Sequence, residues 1–200
     1  MKKEDILVFD ESFLREIEST ITDVATIKKL VAEHGYFTER EPAEIDFTKK
    51  QIIPYVVLKQ DDKYFCTERL KGGTEARLHN KLSIGMGGHV NPVDEKAMPG
   101  EPVVACIKRE LLEEVGYHGI NQDTMHSHRF KFLGVINEYR NEVEKVHMGL
   151  VFTIEVLDAE DVNVKEKTKL AGSWVTKEYL QENYDRLEGW SQIVFDRYII

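Results

Sequence analysis

The sequence has only two cysteines, no long hydrophobic run and no excess of positive charge. Cys66 and Cys106 form no CxxC motif and no closely spaced framework, so no disulfide is expected and a reducing compartment is favoured. The longest apolar stretches, such as residues 52–58, fall far short of the roughly 18 residues that a membrane span needs. Acidic residues follow the first lysines at once, which argues against a secretory signal. These absences predict a cytoplasmic protein without membrane association.

The balance of charges excludes another class of partner. The formal net charge is -9 at pH 7, and no basic stripe offsets the acidic excess, so binding along nucleic acid phosphates is not expected. An acidic protein that handles anionic phosphates needs metal ions to do so. The length of 200 residues suits one domain, or one domain with an appendage.

The hydrophobic pattern changes its period along the chain. Apolar residues recur at helical spacing between Phe13 and Val31, which predicts an N-terminal helical extension over residues 1–49. The cap-type residues at 19–23 leave one long helix and two short ones equally open, and residues 36–50 are expected to form a connector. After residue 50, segments rich in β-branched and aromatic residues alternate with helical patterns. This order predicts an α+β domain over residues 50–200, with helices on a mixed sheet.

The stretch RELLEEVG, residues 109–116, places three glutamates on one side of a predicted helix that begins at Pro102. Glu110, Glu113 and Glu114 lie at offsets of three and four, where like charges destabilise an isolated helix by about 0.2–0.5 kcal/mol per pair. A divalent cation such as Mg²⁺ would offset this repulsion, whereas the alternative is a solvated acidic face. The glycine turn GMGG at residues 85–88 precedes the helix, and its backbone can approach a metal or phosphate closely. The combination favours a cation site.

These residues resemble the Nudix hydrolases. The box of that family reads Gly, five residues, Glu, seven residues, and then Arg-Glu-apolar-x-Glu-Glu-x-Gly-apolar. Glu101, seven residues and the segment from Arg109 to Gly116 match its second part, and Tyr117 takes the last apolar place. Gly88 matches the box glycine, but twelve residues instead of five separate it from Glu101, so the resemblance indicates an insertion within loop 89–100. The box then spans about residues 87–117, and the implied fold is an α/β/α sandwich with a mixed sheet.

The resemblance also implies a reaction. A water activated by Mg²⁺ or Mn²⁺ attacks phosphorus and cleaves a diphosphate linkage in a nucleoside diphosphate-linked or related small molecule. The metal-binding positions of the family correspond to Glu110, Glu113 and Glu114, and the carbonyl of Gly87 is expected to be a further ligand. Arg109 resembles the arginine that orients the box, and Glu101 the glutamate that supports its loop.

The general base stays open at this point. Glu110 is the candidate within the box, and Glu166, Glu142 and Glu144 are candidates from later loops, each against the alternative of a solvated surface glutamate.

Three basic or imidazole side chains are candidates for substrate binding. Arg69 and Arg77 precede the glycine turn and are expected to contact phosphate or base, although exposed loop arginines are often only solvated. His89 follows Gly88 directly and is within reach of a phosphate, whereas His147 is expected to be a packed strand residue.

Two other functions compete with hydrolysis. An isomerase of the same fold requires a cysteine in the strand before the helix, where this sequence has Met86. A non-catalytic regulatory module that binds a nucleotide commonly loses box glutamates, and this chain keeps all of them. The apolar surface of the N-terminal helices and of residues 190–198 also makes a homodimer a possible assembly.

Overall fold

The computed structural model describes residues 3–70, 79–125, 127–165 and 167–200, with the backbone alone at residues 122 and 123. The predictions for Arg77 and Glu166 therefore lie outside the described residues. Contacts group the chain into two compact units. The first unit comprises residues 1–55, 87–109 and 132–151, and the second comprises residues 56–86, 110–131 and 152–200. The predicted boundary between residues 49 and 50 does not coincide with a division between these units and stays a prediction.

The N-terminal part of the first unit contains strands as well as helices. Its elements are β1 (Asp5–Asp10), α1 (Glu11–Ile17), α2 (Val24–His34), β2 (Tyr36–Glu39) and α3 (Arg40–Ala43). Of the two alternatives that the sequence left open, the structure has two short helices, because the Asp23 side chain accepts a hydrogen bond from the amide of Thr26 and so starts α2.

The expectation of an entirely helical extension ending in a connector is wrong for β1 and β2. β1 pairs antiparallel with β2 and with the first residues of β3 (Lys49–Gln60). The four central residues of β1, at positions 6–9, are all buried, so both faces of this strand are covered. A continuous apolar run of this kind lacks the alternation that identifies a strand from sequence.

The remainder of the first unit includes residues 89–100, which the sequence pattern predicts to be an inserted loop. Its elements are α4 (Pro92–Ala97), the first part of α5 (Pro102–Val115), most of β7 (Phe130–Ile136), α7 (Glu142–Val146) and the start of β8 (His147–Glu155). This segment contains a short helix, α4, which begins with a capping box formed by Asn91 and Asp94. The amide of Leu7 in β1 donates to the carbonyl of Val90, which ties this segment to the strand.

The second unit is built on β4. Its elements are β4 (Lys63–Arg69), β5 (Leu82–Ser83), most of β6 (Gly85–Gly87), the end of α5, α6 (Gln122–Met125), β9 (Leu170–Thr176), α8 (Lys177–Glu182) and α9 (Gly189–Val194). β4 pairs antiparallel with β5, with β9 and with the end of β3. Among the other pairings, β3 pairs with β6 and β8, and β8 pairs with β7.

The fold class predicted from the sequence is confirmed: the chain is an α+β protein in which helices accompany a mixed sheet. Within the described ranges, no helix combines the length and the apolar character that crossing a membrane requires.

Candidate functional site

Helix α5 presents its glutamates as the periodicity predicts. The apolar face lies in the core, where Val104, Ile107, Leu111 and Val115 are all buried. On the other face, Glu110 and Glu114 are half-buried and Glu113 is exposed. The helix therefore combines a core face with a cluster of carboxylates that is only partly open to water.

The electrostatics of Glu114 report the crowding of these carboxylates. Burial, and after it the neighbouring charge of Glu110, raises the pKa of Glu114 to about 8; Glu188 and Glu113 act in the same direction, and Arg69 opposes them. The ionised forms of these groups disfavour one another when no cation is bound. Oxygen ligands of this type are those that Mg²⁺ and Mn²⁺ prefer, so the residues present fit such an ion.

Gly116 ends α5 as the box requires. Its φ angle is +62°, in the left-handed region that glycine adopts without the steric cost of a side chain. The amides of Gly116 and Tyr117 donate to the carbonyls of Leu112 and Leu111, which satisfies acceptors at the helix end. This glycine is explained by local backbone geometry.

Arg109 is held by a buried clamp within the first unit. Its Nε and one terminal nitrogen each lie 2.9 Å from a different oxygen of Asp94, a two-pronged arrangement that suits a guanidinium and a carboxylate. The same terminal nitrogen donates to the carbonyl of His89 at 2.9 Å and to the side-chain oxygen of Asn91 at 3.3 Å. Only 2% of the Asp94 side chain is exposed. The arginine thus fixes the loop that follows the box glycine.

The structure gives Glu101 a different partner from the one that its suggested role in the box requires. The Glu101 carboxylate pairs with Lys28 at 2.7 Å, near the surface, and the acidic partner of Arg109 is Asp94. Five residues, 89–93, separate Gly88 from Asp94, which is the spacing that the box requires. The extra residues therefore lie after Asp94, since 95–108 are fourteen residues instead of seven. The sequence pattern put the insertion before the acidic residue of the box, whereas the structure puts it after that residue, Asp94.

Gly87 has no room for a side chain. A Cβ atom there would lie 2.0 Å from the carbonyl oxygen of Pro54, which is backbone and cannot move aside cheaply. This close approach of β6 to β3 explains the glycine by packing, and its carbonyl as a metal ligand stays a prediction.

Arg69 belongs to the surroundings of the box glutamates in the second unit. It ends β4, and its Nε donates to a carboxylate oxygen of Glu188 at 2.9 Å. Both charges act on the pKa of Glu114, in opposite directions. Sequence reasoning missed Glu188, because it immediately precedes α9 far along the chain and carries no spacing signal.

His89 contacts other side chains of the first unit, and its role as a phosphate ligand stays a prediction. Its Nε2 atom lies 2.7 Å from Oε1 of Gln51 and 3.4 Å from Nε2 of His147. Burial lowers the pKa of His89 to about 4, so the imidazole is neutral at pH 7 and attracts no anion by charge. His147 is buried at the start of β8, as predicted.

Two of the candidate bases, Glu142 and Glu144, have local partners. The buried carboxylate of Glu144 accepts hydrogen bonds from the guanidinium and the backbone amide of Arg140, while Glu142 pairs with Lys145 at 2.6 Å on the surface. Both interactions lie within the loop and short helix α7, which accounts for these glutamates structurally.

Known proteins were compared with the whole chain. No protein-family model matches it. Protein YmaB of Bacillus subtilis (strain 168) is 38% identical over 196 residues, which cover 97% of this chain and 93% of that protein. The crystal structure of Tm1382, a proposed Nudix hydrolase, is similar with a TM-score of 0.73 and 32% identity, over 96% of this chain and 97% of that one. A Nudix hydrolase from Alicyclobacillus acidocaldarius has a similar fold, with a TM-score of 0.56 and 12% identity over 74% of this chain and 90% of that one.

Proposed function

The chain belongs to the Nudix hydrolase superfamily, and on that premise we propose that it cleaves a diphosphate linkage in a nucleoside diphosphate-linked or related small molecule. The observation that carries this proposal is the carboxylate face of α5, where Glu110, Glu113 and Glu114 all remain in their box positions. A protein that only bound nucleotides would have no need to keep this mutually repulsive cluster, in which Glu110 and Glu114 are half-buried.

The box glutamates are the proposed metal ligands. Glu110, Glu113 and Glu114 would hold Mg²⁺ or Mn²⁺, and such an ion supplies neutralisation of phosphate charge and a lowered pKa for a water molecule. Glu110 is the proposed general base, because it is the candidate within the box and the loop candidates Glu142 and Glu144 are paired with Lys145 and Arg140.

Arg69 is proposed to contact the substrate. Its positive charge acts to lower the pKa of Glu114, and a guanidinium recognises a phosphate group through paired hydrogen bonds. The pairing of Arg69 with Glu188 holds the side chain in place before substrate arrives. Arg109 acts differently, as a positioning residue that secures the loop after Gly88 through Asp94 and the carbonyl of His89.

The test is a product-release screen over diphosphate compounds, with nucleoside diphosphate sugars, ADP-ribose, dinucleoside polyphosphates and non-standard nucleoside triphosphates. Wild type is compared with Glu114→Gln and with Glu182→Gln, a matched control at an exposed position of α8. We expect turnover that requires Mg²⁺ or Mn²⁺. Glu114→Gln should lower kcat by more than the roughly 10–100-fold that is typical when an outer partner of a metal ligand is lost, with the melting temperature retained. Glu182→Gln should behave as wild type.

A regulatory module is the competing outcome of the same screen. Nucleotide binding without turnover for every compound, or turnover unchanged in Glu114→Gln, would contradict hydrolysis by the box glutamates.

A further inference from the structure

A second group of ligand-type side chains lies within the first unit and uses none of the box glutamates. It consists of Glu44, which follows α3, His89, which follows Gly88, and His147, which begins β8. One ligand atom from each of the three residues lies within 4.8 Å of the other two. His147 is buried, and the other two side chains are half-buried. Three separate segments of the chain thus converge on one point.

The two imidazoles approach each other through the nitrogens that commonly bind metals. Nε2 of His89 lies 3.4 Å from Nε2 of His147. A tetrahedral zinc ion with Zn–N bonds of about 2.0–2.1 Å holds two ligand nitrogens about 3.3–3.4 Å apart. The observed separation is therefore the one that two histidine ligands of such an ion adopt.

The tautomer of His147 is already the one that metal binding needs. Its Nδ1 atom lies 2.7 Å from the carbonyl oxygen of Val143, and since a carbonyl only accepts, Nδ1 carries the proton. The Nε2 lone pair is then directed at His89. A backbone carbonyl bonded to the second ring nitrogen is the usual support of a metal-binding histidine, because it fixes the ring and strengthens it as a ligand.

A hydrogen-bonded cluster without metal is the simpler interpretation of the same atoms. A proton on Nε2 of His89 can be donated to Oε1 of Gln51 at 2.7 Å, and Gln51 in turn donates to the carbonyl of Ala43 at 3.2 Å. This arrangement satisfies His89 and Gln51. It leaves the lone pair of His147 with only the long 3.4 Å contact to Nε2 of His89, and it uses one oxygen of Glu44, which pairs with Arg40.

We propose that Glu44, His89 and His147 bind one transition-metal ion of the zinc class. Imidazole nitrogens select Zn²⁺ and related ions over Mg²⁺, which prefers an all-oxygen environment. Glu44 supplies the third ligand, and its second oxygen remains available to Arg40, whose Nε lies 3.0 Å away. Three protein ligands leave the fourth position to water or to the side-chain oxygen of Gln51. On metal binding, His89 moves its proton to Nδ1 and gives up its bond to Gln51.

Metal binding would have a structural consequence, because it would restrain the loop after Gly88 that Arg109 also holds. The carbonyl of His89 accepts hydrogen bonds from Arg109 and from the thiol of Cys106. Zinc at the imidazole of the same residue would join this loop to α3 and β8. Zinc binding here is independent of the diphosphate chemistry proposed above, so either can fail without the other.

The experiment titrates the metal-free full-length protein with Zn²⁺, and separately with Co²⁺ as a spectroscopic probe, in the presence of excess Mg²⁺. We expect one equivalent to bind, with the visible absorption of tetrahedral Co²⁺ and a higher melting temperature. Glu44→Gln and His147→Gln should each weaken Zn²⁺ binding at least roughly 10²-fold, since they remove a direct ligand. Two controls should bind as wild type: Glu114→Gln, which alters the box, and His128→Gln, which alters an exposed histidine.

Glu44→Gln keeps the test decisive if His147→Gln does not fold, because the Glu44 side chain lies partly at the surface. The proposal is overturned if the wild type binds no stoichiometric Zn²⁺ in excess Mg²⁺. It is equally overturned if Glu114→Gln removes the binding while Glu44→Gln retains it.

Discussion

Changing one carboxylate to an amide tests which acidic side chain holds Arg109. The substitution is Asp94→Asn, which keeps the shape of the buried side chain and removes its charge. Glu101→Gln makes the same chemical change at the residue that the box spacing suggested. Both variants preserve volume, so a difference between them reports on the ion pair.

The structure predicts unequal losses of stability. Asp94 is 2% exposed and Arg109 23% exposed, and removing one partner of a buried ion pair costs about 3–5 kcal/mol. The partial exposure of Arg109 and its remaining bond to the carbonyl of His89 place the expected loss near the lower end, at about 3 kcal/mol. The pair of Glu101 with Lys28 is 31% and 51% exposed, and surface pairs of this kind contribute about 0.2–1 kcal/mol.

Urea unfolding measures the two losses, and the thermal midpoint gives an independent reading. For a chain of this size a loss of 3 kcal/mol lowers the melting temperature by about 6–12 °C, whereas Glu101→Gln should lower it by no more than a few degrees. A double-mutant cycle with Arg109→Met should show coupling between positions 94 and 109, of about 0.5–3 kcal/mol. Equal losses for the two variants, or coupling of Arg109 to position 101 and not to 94, would refute the clamp.

Two further predictions follow from the pKa of Glu114 and from the glycines of the box. Because the folded-state pKa of Glu114 is raised from its ordinary value of 4.5 to about 8, the contribution of this group to the free energy of unfolding in EDTA is fully present below about pH 4.5 and is lost as the pH rises towards 8. Urea unfolding in EDTA should show this decline in the wild type and much less of it in Glu114→Gln. Excess Mg²⁺ should remove most of it from the wild type. An equal decline in Glu114→Gln would show that Glu114 is not the group responsible. Gly87→Ala should cost about 3 kcal/mol or more, since the new Cβ would meet the backbone oxygen of Pro54 at 2.0 Å. Gly116→Ala should lower the free energy of unfolding by only about 1–2 kcal/mol. The main penalty is its left-handed φ, and the new Cβ meets only the flexible end of Lys165. If urea unfolding shows a larger loss for Gly116→Ala than for Gly87→Ala, a backbone shift relieves the close contact at Gly87.

The features that sequence reasoning predicted correctly are governed by local rules. The core face of α5 follows from a period of 3.6 residues, and its first residue follows from Pro102. Between the one long helix and the two short ones that the sequence left open, the capping side chain of Asp23 decides for two. Each of these depends on residues within a few positions of one another.

The errors share a different cause. β1 was missed because both of its faces are buried, and its burial depends on elements elsewhere in the chain. Glu101 was chosen because it stands seven residues before Arg109, and spacing alone cannot tell on which side of an acidic residue an insertion falls. Asp94 is identified only by its burial against the guanidinium.

By itself, therefore, the sequence determined the α+β class, the amphipathic box helix with its three glutamates, and the glycine that ends it, because periodicity and backbone preferences act over one or two helical turns. Only the tertiary structure decided that Asp94 holds Arg109, that Arg69 and Glu188 act on the charge of Glu114, and that His89 faces His147 and Glu44. The residues in each of these groups are far apart along the chain. They meet only because the packed strands and helices bring their side chains to the same place.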